Sequence, residues 1–375
     1  MDRYTAIEQQ SHSTEGNQSV AHPGNKRFII GRDDLILITG ASGFIGSRLV
    51  ESLLNLGFRN LRCLTRPTSK LDQKAVTAGR GSDVRVEVVT GNLLSPEDCG
   101  IATKNATVIF HLAAGRGEKS FPDAYMNTVV TTRNLLDASL QQDRLQRFVN
   151  ISSFTVYTNQ RKPRRGLLDE SCPVEKHPEL RGEAYCYAKV KQDELVEEYG
   201  RQFGLRYVTV RPGYVYGPGK RAITGRVGID SFGLFLHLGG ANTIPFSYVD
   251  NCAEAIALAG LTEGVDGEVF NVVDDELPSS RQFLRLYKRT VKSFPSLYLP
   301  HFASYALCYL WQRYAAWSEG QLPPVFNRGR WYANWKKTAY SNAKLKALAG
   351  WKPRVPTRDG LQCYFAGCRE GQRHD

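Results

Sequence analysis

Leu35-Ile-Leu-Ile-Thr-Gly40-Ala-Ser-Gly43-Phe-Ile-Gly46, continued by Ser47-Arg-Leu-Val-Glu-Ser-Leu-Leu54, is the stretch whose reading decides the fold. Leu35 to Ile38 form an unbroken apolar run, which reads as a strand buried on both faces. The Gly/Ser cluster reads as a tight turn, and Ile45, Leu49, Leu53 and Leu54 return at helical spacing. In a strand–turn–helix unit of this kind each glycine has its own task. Gly40 allows the sharp turn, Gly43 lets a pyrophosphate approach the backbone, and Gly46 lets the helix pack close to the strand. The helix N-terminus then faces the phosphates of a dinucleotide.

The chain has 375 residues, enough for a large core and about two domains. Its eight cysteines are scattered without a Cys-x-x-Cys pair, so neither a zinc site nor a disulfide framework is legible, no metal is expected, and a reducing cytoplasm is the simplest setting. The formal charge of +12 is spread along the chain with no nucleic-acid motif, which points to an anionic substrate or cofactor and away from nucleic acid. Met1 to Lys26 is rich in Gln, Ser, Glu, His and Gly and poor in aliphatic residues. It reads as a disordered tail, taken as residues 1–30 in the domain plan, and it lacks the apolar stretch of a secretory signal.

Taken in order, Leu61 to Arg66 reads as a second strand, Val84 to Val89 as a third, Val108 to Ala114 as a fourth and Phe148 to Tyr157 as a fifth breaking at a Ser pair. Tyr125 to Leu136 reads as a helix with Leu135 and Leu136 inward. Leu205 to Val210 is a sixth strand that leaves through Pro212, and Glu268 to Val273 a returning strand. The end of the second strand is where a carboxylate would hold the ribose of NAD. Thr65 and Arg66 stand there instead, and the first carboxylate is Asp72, so NADP is the expected cofactor, with NAD as the alternative.

Thr39-Gly-x-x-Gly-x-x-Gly46 resembles the fingerprint of the extended short-chain dehydrogenase/reductases, of the NAD-dependent epimerase/dehydratase type, and the resemblance extends over residues 33 to 362. It implies an α/β Rossmann-type, doubly wound parallel sheet with a smaller C-terminal substrate lobe. The dinucleotide domain would be 31–213 with the returning segment 246–273, and the lobe 214–245 and 274–375. By the same resemblance the cofactor lies against Gly40, Ser42, Gly43, Phe44, Ile45, Gly46 and Arg66. Asn92 and Leu93 stand where the family has Gly-Asp-Leu, Asn92 offering an amide oxygen to the adenine. Ala113, Ala114, Pro212 and Val215 lie where the family's strand ends meet the cofactor. His111 is expected to be a structural histidine rather than a base.

Ser152-Ser153-Phe-Thr-Val-Tyr157 is similar to the family's Ser-Ser-x-x-Val-Tyr-Gly, which puts the catalytic hydroxyl on Ser153. Tyr185-Cys-Tyr-Ala-Lys189 supplies a Tyr and a Lys on one helical face. The spacing recurs at Tyr187/Lys191, Tyr332/Lys336 and Tyr340/Lys344. Position after the Ser153 strand, and the small residue before Lys189, single out the first pair, and Tyr187 falls about 200° around the helix from Tyr185. The resemblance makes Tyr185 the general acid/base, Lys189 both the charge that favours its phenolate and a ribose ligand, and Ser153 the donor to the substrate oxygen.

Dehydratases and decarboxylases of the family place acidic residues directly after the catalytic hydroxyl. Here Phe154 and Thr155 follow, which disfavours elimination. An epimerase or oxidoreductase acting on a nucleotide-sugar is expected, as a cytoplasmic homodimer. The alternative is an NADP-linked reductase of a hydrophobic ketone, of hydroxysteroid or dihydroflavonol type, and behind it a non-catalytic dinucleotide sensor. Leu297 to Trp311 carries no formal charge, contains Pro300 and is too short to span a bilayer. It reads as a lid helix over an apolar pocket, with a monotopic membrane contact by 296–311 as the alternative.

Overall fold

The computed structural model describes residues 27–69, 71, 77–115, 120–160, 166–220, 222–231, 233–319, 321 and 326–372. The expected tail at Met1 to Lys26, and Asp72, lie outside them. Apolar runs buried on both faces, together with an alternating and partly exposed edge strand β3, make a seven-stranded sheet of β1 (Ile36–Thr39), β2 (Asn60–Thr65), β3 (Arg85–Thr90), β4 (Val108–His111), β5 (Arg147–Ile151), β6 (Tyr207–Pro212) and β7 (Val269–Val272). The spatial order is β7-β6-β5-β4-β1-β2-β3, and every pairing is parallel. The order reverses between β1 and β4, and in such sheets the crevice beyond the strand ends at that point is where ligands bind.

Helices cover both faces. On one, α1 (Phe44–Asn55) turns Gly46, Leu49, Val50, Leu53 and Leu54 inward, and α5 (Val249–Leu261), buried almost throughout, packs along it. On the other, α2 (Pro96–Thr103), α3 (Thr131–Ser139) and α4 (Ala184–Phe203) enclose a second cluster with Leu37, Ile109 and Phe148. The helix expected from Tyr125 begins earlier, at Phe121, and passes through a π-turn at Met126–Val130 before α3. Within that turn the Thr128 hydroxyl accepts the Gly115 amide at 3.0 Å, tying it to the loop after β4.

The fifth strand does break at the Ser pair, ending at Ile151, and Ser153 caps a 3-10 turn at Phe154–Val156. Two expectations are corrected. The tail boundary at 30 is too late, because Phe28 and Ile30 are already in the main core and the Ile29 amide bonds the Leu261 carbonyl at 3.0 Å. The stretch 296–311 is not a lid with its apolar side over a pocket: it holds a short strand, Ser296–Tyr298, and most of α7 (His301–Trp317), whose large apolar side chains face outward. Part of the expected lobe also packs with the sheet, because α8 (Ala343–Ala349), Trp351 and α9 (Thr357–Gln372) send Leu345, Trp351, Leu361, Tyr364 and Phe365 into the main core.

The glycine turn carries its own steric proof. Gly40 has φ +72°, and a Cβ there would stand 2.9 Å from the Ala113 amide nitrogen, so β1 and β4 come together at their ends only around a bare backbone. A Cβ on Gly46 would stand 2.1 Å from the Gly40 carbonyl oxygen. Gly46→Ala should therefore cost about 1–3 kcal/mol of stability in urea unfolding. Gly100→Ala, in α2 with nothing within 4 Å of the new carbon, should gain up to about 1 kcal/mol.

Candidate active site

The cradle at the end of β1 fits a diphosphate. Gly43 precedes α1 without any side-chain cap, and no acidic residue lies in the first turn, so among the described residues no side chain caps the amides of that turn. Such a helix end favours an anion by its dipole and its free N–H groups. Ser42, Phe44 and Ile45 stand in this turn, half-buried beside the backbone that Gly40, Gly43 and Gly46 keep bare. Lys220, not singled out from sequence, lies 5.1 Å from the centre of the Phe44 ring while its ammonium donates to the Val215 carbonyl at 2.8 Å.

The other expected cofactor positions divide. Ala113 follows β4 opposite Gly40, held by its amide bond to the Thr39 hydroxyl at 3.3 Å, with Ala114 next in the chain. Pro212 ends β6, and Val215 lies in the short strand beyond it, paired with Ser247. Arg66 is exposed just past β2, with Thr65 buried before it. The carbonyl of Leu93 accepts the Asn134 amide at 3.0 Å. The Asn92 oxygen expected for adenine already accepts the Leu94 amide at 3.0 Å, an Asx turn that competes for its use. Asn127, at the π-turn, donates to the Asp123 carbonyl at 2.9 Å.

The catalytic candidates come together at the carboxyl end of β5. Ser153, half-buried, lies close enough to the Tyr185 phenol, on the first turn of α4, for its hydroxyl to lower the phenol's pKa. One turn on, the Lys189 ammonium lies 5.9 Å from the centre of the Tyr185 ring and donates to the Ile151 carbonyl at 2.7 Å and the Gln192 amide oxygen at 2.8 Å. Tyr187 points away, onto Phe121 and Tyr125, with ring centres 5.4 and 6.3 Å distant. His111 is satisfied on both ring nitrogens by Thr39 and Thr132, at 2.8 and 2.9 Å. Burial lowers its pKa to about 3, so it is neutral and structural.

Beneath the triangle lies a charge network that sequence reasoning missed. Asp193, a further turn along α4, accepts from Asn150 at 2.9 Å, Ser152 at 2.8 Å and the Arg211 guanidinium at 3.0 Å. Arg211 in turn lies over the Tyr157 ring at 4.9 Å, and the Tyr157 hydroxyl donates to Asn271 of β7 at 2.8 Å. The available signal was the spacing: Tyr185, Lys189 and Asp193 follow one another at i, i+4, i+8 on a single face.

Electrostatics sets the resting protonation. Burial pushes the Tyr185 phenol up to about 12, with the Ser153 hydroxyl opposing, so the tyrosine is protonated at neutral pH. Burial pulls Lys189 down to about 8, with the Asp193 charge opposing. The unfolded lysine keeps its proton to about pH 10.4. Between about 8 and 10.4 the unfolded chain therefore holds the extra proton, and this group adds stability as pH rises through that window. Lys189→Met should remove that gain. The check is urea unfolding of both proteins across the window, where wild type should improve relative to the variant as pH rises.

Among the described residues no group of three His, Cys, Asp or Glu side chains is placed to hold a metal, and no helix is long and apolar enough to cross a membrane. Comparison with known proteins agrees with the geometry. The chain is 29% identical over 252 residues to a trifunctional UDP-glucose 4,6-dehydratase/UDP-4-keto-6-deoxy-D-glucose 3,5-epimerase/UDP-4-keto-L-rhamnose-reductase of Arabidopsis thaliana, covering 63% of this chain but only 36% of that enzyme's length. It is 26% identical over 275 residues to the N-acetyl-alpha-D-glucosaminyl-diphospho-ditrans,octacis-undecaprenol 4-epimerase of Escherichia coli O157:H7, covering 72% of this chain and 76% of the relative. The fold matches that of a UDP-glucuronic acid 4-epimerase from Bacillus cereus, solved with UDP-glucuronic acid and NAD, at a TM-score of 0.66 and 22% identity over 90% of this chain and 99% of that one. Residues 36–272, well over half of the chain, match the pattern of a known family, and the protein belongs to the NAD dependent epimerase/dehydratase family.

Proposed function

We propose that this protein is an NAD(P)-dependent oxidoreductase or epimerase that moves a hydride at a secondary alcohol or ketone of a nucleotide-sugar. The observation that carries the reading is the placement of Ser153, Tyr185 and Lys189 together at the carboxyl end of β5, two strands from the glycine turn that follows β1. The uridine-diphosphate sugars named for the plant and Bacillus relatives support the substrate class. A bound nicotinamide supplies the hydride acceptor or donor. The chain's own residues do the rest. Gly40, Ser42, Gly43, Phe44, Ile45 and Gly46 would hold the diphosphate, Arg66 the adenosine end, and Ala113, Ala114, Lys189, Pro212 and Val215 the nicotinamide half.

Tyr185 is protonated at rest, so its first act is as an acid, delivering a proton to a substrate oxygen that Ser153 also holds. In the oxidative direction the phenol must lose that proton. Its high resting pKa means that the positive charges brought beside it, Lys189 first, must offset the cost of burying a phenolate. Phe154 and Thr155 offer no carboxylate after Ser153; Phe154 is buried against Tyr157 and Tyr340, at ring distances of 5.8 and 5.6 Å. That composition supports redox or epimerisation rather than elimination. Arg66, exposed at the end of β2, favours NADP and keeps alive the second reading, an NADP-linked reductase of a hydrophobic ketone. Native mass spectrometry separates the two, because an epimerase recycles its dinucleotide and should retain it, whereas a reductase exchanges it and should be found empty.

Two mutational outcomes are expected. Tyr185→Phe should lower turnover by roughly 10²- to 10⁴-fold, the range for general acid–base catalysis, with little change in cofactor affinity. Tyr187→Phe should be nearly silent; a dead Tyr187 variant would reverse the assignment. For the cofactor, fluorescence titration should find NADPH bound roughly ten- to a hundredfold more tightly than NADH through charge-assisted bonds from Arg66, with a preference that shrinks as salt rises. Equal affinities, or tighter NADH, would remove NADP from the reading.

A further inference from the structure

Helix α7 is turned the wrong way round for a helix in water. Its inward residues are small, Ser304, Cys308 and Ala315. Its large apolar residues face out: Phe302 is 78% exposed, Trp317 76% and Leu310 61%. At 100° per residue Phe302, Ala306, Tyr309, Leu310, Arg313 and Trp317 fall within a sector about 100° wide, and the exposed Leu307 and Tyr314 border it. The short strand leading into the helix adds exposed Leu297 and Tyr298. A continuous apolar face of this kind on a protein surface marks a site of interaction.

The rim of the patch is basic. Helix α6 (Ser280–Thr290) presents Arg281, Arg285 and Lys288 at i, i+4, i+7. It is fixed beside the strand by the Arg281 guanidinium over the Tyr298 ring at 5.1 Å and by the Lys288 ammonium, which donates to the Ser296 hydroxyl at 2.6 Å. On the other side Arg328 lies over the Tyr309 ring at 5.3 Å. Arg313 stands within the stripe, and no Asp or Glu occurs from Leu297 to Trp317.

We propose that α7 and the strand before it form an interfacial docking surface that seats the protein on an anionic lipid bilayer without crossing it. An aromatic and aliphatic face with tyrosines and a tryptophan suits the boundary between headgroups and acyl chains, where such a helix lies in the plane of the membrane. The cations on α6, with Arg313 and Arg328, would meet anionic headgroups, each cation contributing on the order of fivefold in affinity. The same cations disfavour a second copy of the chain as the occupant, because a two-fold contact through this face would set basic rim against basic rim.

The experiment is vesicle flotation of the full chain with phosphatidylcholine alone and with added phosphatidylglycerol, at low and high salt. Binding is expected to the anionic vesicles, weakened by salt. The pair Phe302→Ser and Trp317→Ser should weaken it by roughly tenfold or more through lost apolar insertion. The pair Arg285→Gln and Arg313→Gln should weaken it by roughly twenty-five-fold on anionic vesicles only. Both pairs lie on the surface, so unchanged melting temperatures verify the fold. Failure to float with either lipid, or flotation indifferent to Phe302 and Trp317, overturns the proposal. So does a dimer on size-exclusion chromatography that the Phe302/Trp317 pair dissolves without lipid, since the face would then belong to a second copy.

Discussion

The buried carboxylate of Asp193 is the constraint on which the site depends. A charge taken out of water is tolerated only when hydrogen bonds and an opposite charge replace its hydration. Arg211, Ser152 and Asn150 do so here, and they come from β5, β6 and the turn after β5. Satisfying one carboxylate thus draws two strand ends against one face of α4. Lys189, a turn earlier on that face, is fixed to the Ile151 carbonyl. The relative placement of Ser153 and Tyr185 follows, because each adjoins a member of this lattice. The neighbouring negative charge also works against the full desolvation of the lysine, keeping the two charged states of the site in balance.

How much of this could be read from residues alone depends on range. The glycine turn and the strands were legible because each rests on short-range pattern, an apolar run and a fixed spacing; Ser153, Tyr185 and Lys189 were named by resemblance to the family, since the Tyr/Lys spacing alone occurs four times in the chain. Asp193 and Arg211 were not legible, since an Asp on a helix and an Arg on a strand are ordinary residues until the sheet brings them together. Asn92, expected to face the adenine, also accepts the Leu94 amide two residues on, a local Asx turn that the family resemblance did not include. The apolar stretch 296–311 was read correctly as largely helical, but composition does not say which side of a helix is covered. Only the packing of Ser304, Cys308 and Ala315 decides that.

The two ends of the molecule follow opposite rules. At the sheet, helix α5 is apolar nearly all round because α1 and the strands enclose it, and Gly260 lets Phe110 come so close that a Cβ would stand 2.4 Å from the ring. At α7 the largest apolar residues, Phe302, Leu310 and Trp317, stay open to solvent, while the small Ser304, Cys308 and Ala315 are sealed. The first arrangement is what a single chain does for itself. The second leaves the apolar face for something other than the protein's own core.

The main core joins Phe28, ahead of β1, to Cys368, in the last helix. That closure bears on how the protein is made. A ribosome adding about 5–20 residues each second needs roughly 20 to 70 s to travel from the first of these residues to the second. Through that interval β1 waits for β4, β6 for β7, and α5 for the aromatic residues of α9. The nascent chain therefore emerges with apolar strand edges that cannot yet be paired, and it is during synthesis, more than in the finished molecule, that this architecture depends on protection by chaperones.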